Sequence, residues 1–472
     1  MKDHRHPGLW RFGAHLTFTL CLVLISPTLS AYNYLYIHPT TGEPVGWEHG
    51  TTIQYWLDPG PLGRFTNDQA RVLVQEAMKI WEEASPYANV PHFEFVGYLP
   101  EDINGTNYQE YVSLFSCYED DLGSCPTQAQ KDLKTVIIFD EDDSILNNEL
   151  CKITNCSALA GARVFEGSGS NPGFIKQGIF VLGSFGGADT TRVSAVMGTM
   201  IHEIGHLLGL AHTSINQEAY IDSNEEFDRY MVSMFIAISG TPVDQEVTGA
   251  TLNPDDIAGI SVLYPSETFA TDTATIKGKI LKADETPNYY TNVIARNVDD
   301  PLCEAFSFLA GRICQFASSA VFCDEPVDNN SEYIIWGLPP GTYTLEVEEI
   351  ADDNLAMTLA PGLVDPFIYG DAEFWNEGDA AGDASYLTSN TITLAAGETR
   401  ENVDIILNRS EVTDARIKYI PLDTFTPGPG TRCPEEPPVD YAEMIGIDEG
   451  DSSTGSTDST TSGSSGGCSL VR

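Results

Sequence analysis

The run His202-Glu203-Ile204-Gly205-His206-Leu207-Leu208-Gly209-Leu210-Ala211-His212 gathers three imidazoles and one carboxylate within eleven residues. His202 and His206 are four positions apart. On a helix of about 3.6 residues per turn, both rings therefore project from one face and can bind one ion. Glu203 lies one position round the helix, close to such an ion but angled to reach a water on it as a general acid/base. Gly209 lacks the Cβ that disfavours positive φ, so it can end the helix and turn the chain to bring His212 back as a third ligand. Neutral imidazoles suit zinc. Three of them leave a fourth position for water, which separates a catalytic zinc from a closed structural one. The chemistry implied is hydrolysis: a carbonyl polarised by the metal, a water acidified to a pKa near ~7 in comparable sites, and Glu203 handling the protons. Only six of the nine histidines lie beyond residue 31, and three of those six fall in this window, which argues against chance scatter.

The elements that must position this run are legible around it. Residues 51–57 alternate as a strand, and Pro59-Gly60-Pro61-Leu62-Gly63 marks a turn. Thr66 and Gln69 then form a capping box ahead of Ala70, Leu73, Val74, Ala77, Met78, Trp81 and Ala84 at helical spacing. Residues 92–96 alternate again. Thr135-Val136-Ile137-Ile138-Phe139 is the continuous apolar run of a strand buried on both faces. Residues 160–165 and 178–182 are further strands, and Thr190 or Thr191 opens the helix that carries His202 and His206. In 252–265, Asn253 caps, Pro254 takes the first turn, Asp255 and Asp256 favour the positive end, and Pro265 stops the helix. Together these predict an α+β domain with a mixed twisted sheet and three main helices, within the size range of one domain.

At 472 residues the chain is long enough for two or three domains. Its formal net charge of −45, from 69 acidic against 24 basic residues, repels nucleic acid and anionic membranes, so neither is an expected partner. Residues 1–31 read as a secretory signal: Lys2, Arg5 and Arg11 lie in a basic start, 16–25 is apolar, and Thr28-Leu29-Ser30-Ala31 offers small residues for cleavage. No later stretch approaches bilayer-spanning length. The expected product is secreted or held at the cell surface, where disulfides can form among the nine cysteines that follow Cys21.

The zinc-site run resembles that of the metzincin metallopeptidases. Thr213 directly after the third histidine and the Asp-Asp-Ile and Gly-Ile steps of 252–264 resemble the matrixin branch. This implies a zinc endopeptidase acting on protein or peptide substrates, with a methionine turn beneath the metal for which Met234, in Ser233-Met234-Phe235, is the first candidate and Met231 the second. Several features depart from that pattern. No Pro-Arg-Cys-Gly-type cysteine switch precedes the domain, and no histidine between His92 and His202 provides for a second zinc. The step from His212 to Met234 is 22 positions, and Ile236 stands where astacins carry a zinc-binding tyrosine.

From Ala274 the pattern changes to short alternating strands, as in 275–281 and 331–336, with 391–394 and 403–407 as an expected closing pair. This is a β-sandwich signature. Through Gly337-Leu338-Pro339-Pro340-Gly341-Thr342-Tyr343 it resembles carboxypeptidase regulatory-like, prealbumin-like domains. The expected division is a signal at 1–31, a catalytic domain at 32–267, the β-sandwich at 268–410 and an extended, low-complexity tail at 411–472. Residues 450–467 have no apolar periodicity, and Cys468 near the end offers a route to surface attachment. Asp140-Glu141-Asp142-Asp143 reads first as a solvated turn in an acidic protein, with calcium held through oxygen ligands as the alternative. The alternative to an endopeptidase is a surface binding or adhesion protein in which the zinc domain is vestigial and the β-sandwich makes the contacts.

Overall fold

The computed structural model describes residues 34–35, 44–111, 135–150, 158–165, 174–184, 192–213, 215–216, 230–235, 250–288, 291–310, 331–348, 373–377, 390–407 and 439–447. The signal at 1–31, the segment from 448 onward and every cysteine except Cys303 lie outside them. Cys303 is disulfide-bonded.

The first layer is a five-stranded sheet in the order β2-β1-β3-β5-β4, built from β1 (Thr52–Leu57), β2 (His92–Tyr98), β3 (Thr135–Asp140), β4 (Ala158–Phe165) and β5 (Phe174–Gly183). β1 to β3 and β5 run parallel, while β4 pairs antiparallel with β5 at the edge. β3 is buried along its whole length, as its unbroken apolar run requires. α1 (Asn67–Glu82) starts on the predicted Thr66/Gln69 capping box and buries Ala70, Leu73, Val74, Ala77, Met78 and Trp81. α2 (Val193–Leu208) packs against α1, β4 and β5 and is apolar on nearly all sides, as a helix running through a core must be. It begins at Val193 behind Arg192, whose side chain makes no capping bond; Thr190 and Thr191, expected to open it, lie outside the described residues. Two indoles fix the helix: Trp81 Nε1 donates to the Ile201 carbonyl and Trp47 Nε1 to that of Leu207, both at 2.8 Å.

α3 (Pro254–Leu263) follows the predicted cap. Next come a helical turn, α4 (Phe269–Asp272), and the second layer system. One sheet has the order β11-β10-β7-β8 with β12 also on β10; the other has β13-β6-β14 with β9 also on β6. Their strands are β6 (Ala274–Lys282), β7 (Thr291–Asn297), β8 (Ala305–Ala310), β9 (Glu332–Leu338), β10 (Gly341–Glu348), β11 (Glu373–Phe374), β12 (Ile392–Leu394), β13 (Thr399–Arg400) and β14 (Ile405–Leu407). This is the expected β-sandwich, with one correction. The strands read as a closing pair do not pair with each other: β12 runs antiparallel to β10 and β14 parallel to β6, in different sheets. Each is only three residues long and alternates in the same way, so pattern alone could not assign its partner.

The sandwich packs on α3 through β8 and β9. At Gly337 (φ 72°) the backbone lies so near α3 that a Cβ would approach Ala258 Cβ to 3.3 Å. Part of the stretch expected to be extended tail also folds back. α5 (Tyr441–Met444), capped by Asp440, buries Tyr441 and joins the core; the Tyr441 hydroxyl donates to the Ala250 carbonyl and Gln69 Nε2 to that of Ile445. Tyr441, Ile445 and Ile447 supply an apolar face that composition averaged over the whole tail conceals.

Candidate active site

α2 delivers His202, Glu203 and His206 from its last two turns, and Gly209 ends it. Gly209 sits at φ 110°, its N–H bonding the His206 carbonyl while Leu210 N–H bonds that of Gly205, both at 3.0 Å. A Cβ there would press to 3.1 Å of the Val45 carbonyl oxygen, so both conformation and space demand glycine. The turn brings His212 round, as expected from the spacing. The three Nε2 atoms stand 3.1 Å from one another in all three pairs.

The contact between His202 and His206 is not a hydrogen bond. His202 Nδ1 lies 2.6 Å from the Ser233 carbonyl and His206 Nδ1 2.7 Å from that of Leu210. A carbonyl only accepts, so in these rings Nδ1 carries the proton and Nε2 presents its lone pair inward. Burial in apolar surroundings disfavours a charge on these imidazoles, pulling His202 down to about 4 and His206 to about 3. Neutral rings with converging lone pairs repel one another unless a cation lies between them. Four-coordinate zinc with ligand bonds of about 2.0–2.1 Å sets its nitrogens roughly 3.3–3.4 Å apart, within a few tenths of an ångström of the spacing seen here. Among the described residues, His202, His206 and His212 are the group of His, Cys, Asp or Glu side chains that can hold a metal ion.

Glu203 is buried beside them. Its Oε2 has no hydrogen-bond partner, and burial pushes the carboxyl up to about 8, only partly opposed by the Ala160 backbone on β4. A buried carboxyl with an orphaned oxygen is costly in a merely structural position.

Below the histidines lies Ser233-Met234. A Cβ on Gly205 would overlap Met234 Sδ and come within 2.9 Å of Trp81 Cζ2, so Met234 is seated against α2 between its two histidines. Asp256 braces this turn: its Oδ1 accepts from Met234 N–H at 3.0 Å, and its Oδ2 from Ser233 N–H and Asn253 N–H, both at 2.9 Å. Met231 offers its carbonyl to Asn253 Nδ2 instead. The sequence marked Asp256 only as an acidic residue suited to a helix N-terminus; that its carboxylate reaches the turn holding His202 is a tertiary fact. Thr213 N–H closes the ring onto the Met234 carbonyl at 2.9 Å. Ile236 lies outside the described residues.

The acidic run at 140–143 behaves otherwise than the calcium expectation. Asp140 Oδ2 accepts from Leu146 N–H, Asp142 Oδ1 from Ser144 N–H, and Asp143 from the N–H and hydroxyl of Ser184. One or both oxygens of Asp140, Asp142 and Asp143 are thus taken up by protein groups, the run is not among the groups of described residues that can hold a metal ion, and calcium has no support here.

The family model described as Matrixin matches residues 46–265. These residues form a matrixin catalytic domain. The match covers the sheet, α1, α2 and α3, and with the histidine triad it makes the chain a zinc metalloendopeptidase. No curated protein matches the chain. Among solved structures, that of (S)-allantoin synthase covers 46% of this chain and 79% of its own, at 8% identity and a TM-score of 0.15, too weak a likeness to bear on fold or chemistry. A matrixin domain implies a protein or peptide substrate. Among the described residues no helix is long and apolar enough to cross a membrane.

Proposed function

We propose that His202, His206 and His212 hold the zinc ion of this endopeptidase, that Glu203 is its general acid/base, and that Met234 forms the methionine turn beneath it. The observation that carries this reading is the convergence of three Nε2 atoms beside a buried carboxyl whose Oε2 has no partner. Zinc held there supplies Lewis acidity to a peptide carbonyl and acidifies water. The protein's own groups do the rest. The carbonyls of Ser233 and Leu210 fix the ring orientations of His202 and His206 and keep Nδ1 protonated. Glu203 accepts the proton of a water whose oxygen attacks the peptide carbonyl carbon. When the C–N bond breaks, it delivers that proton to the departing amine nitrogen.

The division of the chain follows from the same reading: signal at 1–31, matrixin domain at 32–267, a carboxypeptidase regulatory-like sandwich at 268–410, and a tail at 411–472. Export to the cell exterior is proposed from the opening segment and is consistent with matrixin membership. The test is a peptide-library digest by the purified full chain, zinc-loaded and chelated, beside Glu203→Gln. Zinc-dependent cleavage that disappears in the variant while zinc stays bound is expected. Zinc binding without any cleavage by the unmodified chain would instead favour the adhesion reading.

A further inference from the structure

β7, β8 and β10 alternate as sandwich strands do, with Val293, Ala295, Phe306, Phe308, Tyr343, Leu345 and Val347 facing the sandwich core. The opposite face carries Arg296, Ser307, Thr344 and Glu346, residue types suited to solvent. Yet these four are only 2%, 4%, 2% and 0% exposed. What meets two of them is the chain just beyond the third histidine. Thr213 Oγ1 lies 2.8 Å from Ser307 Oγ, and Ser307 N–H donates to Asp255 Oδ1 at 2.8 Å. Asn216, buried and at φ 56°, accepts from Arg296 Nη1 at 2.7 Å. Its Nδ2 donates to the carbonyls of Tyr230 and Leu302, each at 2.8 Å. Arg296 is itself fixed by Glu346 and by the Pro301 carbonyl. An ion pair taken fully out of water contributes little net stability, and its best-attested use is to impose one register on what it joins.

We propose that Arg296, Asn216 and Ser307 are positioning residues of the peptidase site, through which the β-sandwich fixes Thr213 and Asn216 after His212 and Tyr230 ahead of the turn at Ser233-Met234. The inference rests on the assignment of His212 as a metal ligand. His212 comes from the loop that leaves α2, and its ring is set by the two anchors that follow it. Thr213 is tied to Met234 through its backbone and to the sandwich through its hydroxyl. Asn216 ties one end of the 216–230 segment to the other, and both to Arg296. The second domain is thereby part of the peptidase, not a spacer beside it.

The test uses the full zinc-loaded chain and four variants. Asn216→Gly keeps the left-handed backbone and removes all three side-chain bonds. Asn216→Asp restores only the acceptor for Arg296. Arg296→Lys keeps a cation opposite Glu346 but loses the planar fork, and Ser307→Ala removes the hydroxyl. The readouts are zinc loss to excess chelator, the visible spectrum of the cobalt-substituted protein, and kcat and KM. Partners outside the ligand set typically change metal affinity about 10–100-fold. Asn216→Gly and Arg296→Lys are therefore expected to lose zinc at least about tenfold faster, with a shifted cobalt spectrum and a fall carried mainly by kcat. Asn216→Asp sets a carboxylate oxygen against the Tyr230 and Leu302 carbonyls and should lose zinc faster as Asn216→Gly does. Variants that lower the melting temperature but leave zinc loss, cobalt spectrum and kcat within about twofold would overturn the proposal. If Asn216→Gly does not fold, Arg296→Lys and Ser307→Ala decide by the same criteria. If the unmodified chain binds zinc but cleaves nothing, the peptidase reading fails, while zinc loss and the cobalt spectrum still judge this one.

Discussion

A methyl group added to Gly205 probes the packing that joins the helix of the site to the turn beneath it. The new Cβ would overlap Met234 Sδ and stand 2.9 Å from Trp81 Cζ2. Met234 can swing, but the Trp81 ring is fully buried and held by its bond to Ile201, so it does not yield. Overpacking a filled core costs about 1–3 kcal/mol, whereas replacing glycine by alanine within a helix returns about 1 kcal/mol. Gly205→Ala should therefore destabilise by up to about 2 kcal/mol, or roughly 2–4 °C in Tm per kcal/mol for a domain of this size. Met234→Ala alone leaves a cavity and should cost about 2–5 kcal/mol. In the double variant the new methyl enters space the methionine vacated. Its cost should fall below the sum of the singles by about 1–2 kcal/mol, although Trp81 prevents full repair. Denaturant unfolding of the zinc-loaded full chain measures the cycle. Zinc retention should fall in Gly205→Ala as well, because the Ser233 and Met234 carbonyls hold His202 and Thr213. Single-variant costs that add to within about 0.5 kcal/mol would refute contact between Gly205 and Met234 as the link.

Glu203→Gln should bind zinc like the unmodified protein and lose peptide hydrolysis by about 10²–10⁴-fold, checked by metal analysis beside kcat/KM; comparable turnover would remove Glu203 from the proton path. Asp256→Ala strips three backbone N–H groups of their acceptor and should destabilise by at least about 1–3 kcal/mol, seen as a lower denaturation midpoint with weakened zinc retention. Asp255→Asn tests a charge effect. Burial raises Asp255 from 3.8 to about 8, so the folded state holds its proton more tightly than the unfolded chain. Stability from that proton is complete below pH 3.8 and drains away as pH rises towards 8. Asparagine keeps an oxygen for Ser307 N–H and does not titrate. Its stability relative to the unmodified protein should therefore climb between pH 4 and 8, and a pH-independent difference would contradict this. Chelation should lower Tm reversibly, by an amount that grows with the ratio of free zinc to its Kd in the loaded state, as calorimetry with zinc restored will show.

Much of the site was legible because its determinants are local. His202 and His206 share a helix face by period alone, and Gly209 marks the turn by its lack of a Cβ. The same holds for α1, whose capping box and apolar spacing match the observed helix, and for β3, whose apolar run matches burial on both faces. The expected opening of α2 at Thr190 or Thr191 falls outside the described residues. The pairing of β12 and β14 was misassigned because three-residue strands carry no register information of their own. The docked turn at Tyr441 was hidden by the composition around it.

By itself, the sequence determined the metal chemistry of this protein, since ligand type, ligand spacing and the helix-ending glycine lie within eleven consecutive residues. It also determined that a strand-rich second unit follows, because alternation is written residue by residue. Only the tertiary structure decided what holds the site in place. Asp256 reaches back over 22 residues to Met234, and Arg296 meets Asn216 across 80. Such contacts depend on how separate elements pack, and no local propensity or period encodes them. An arginine on β7 and a serine on β8, both on the outer face of the sheet, read as solvent-facing residues until the matrixin domain is found to cover them.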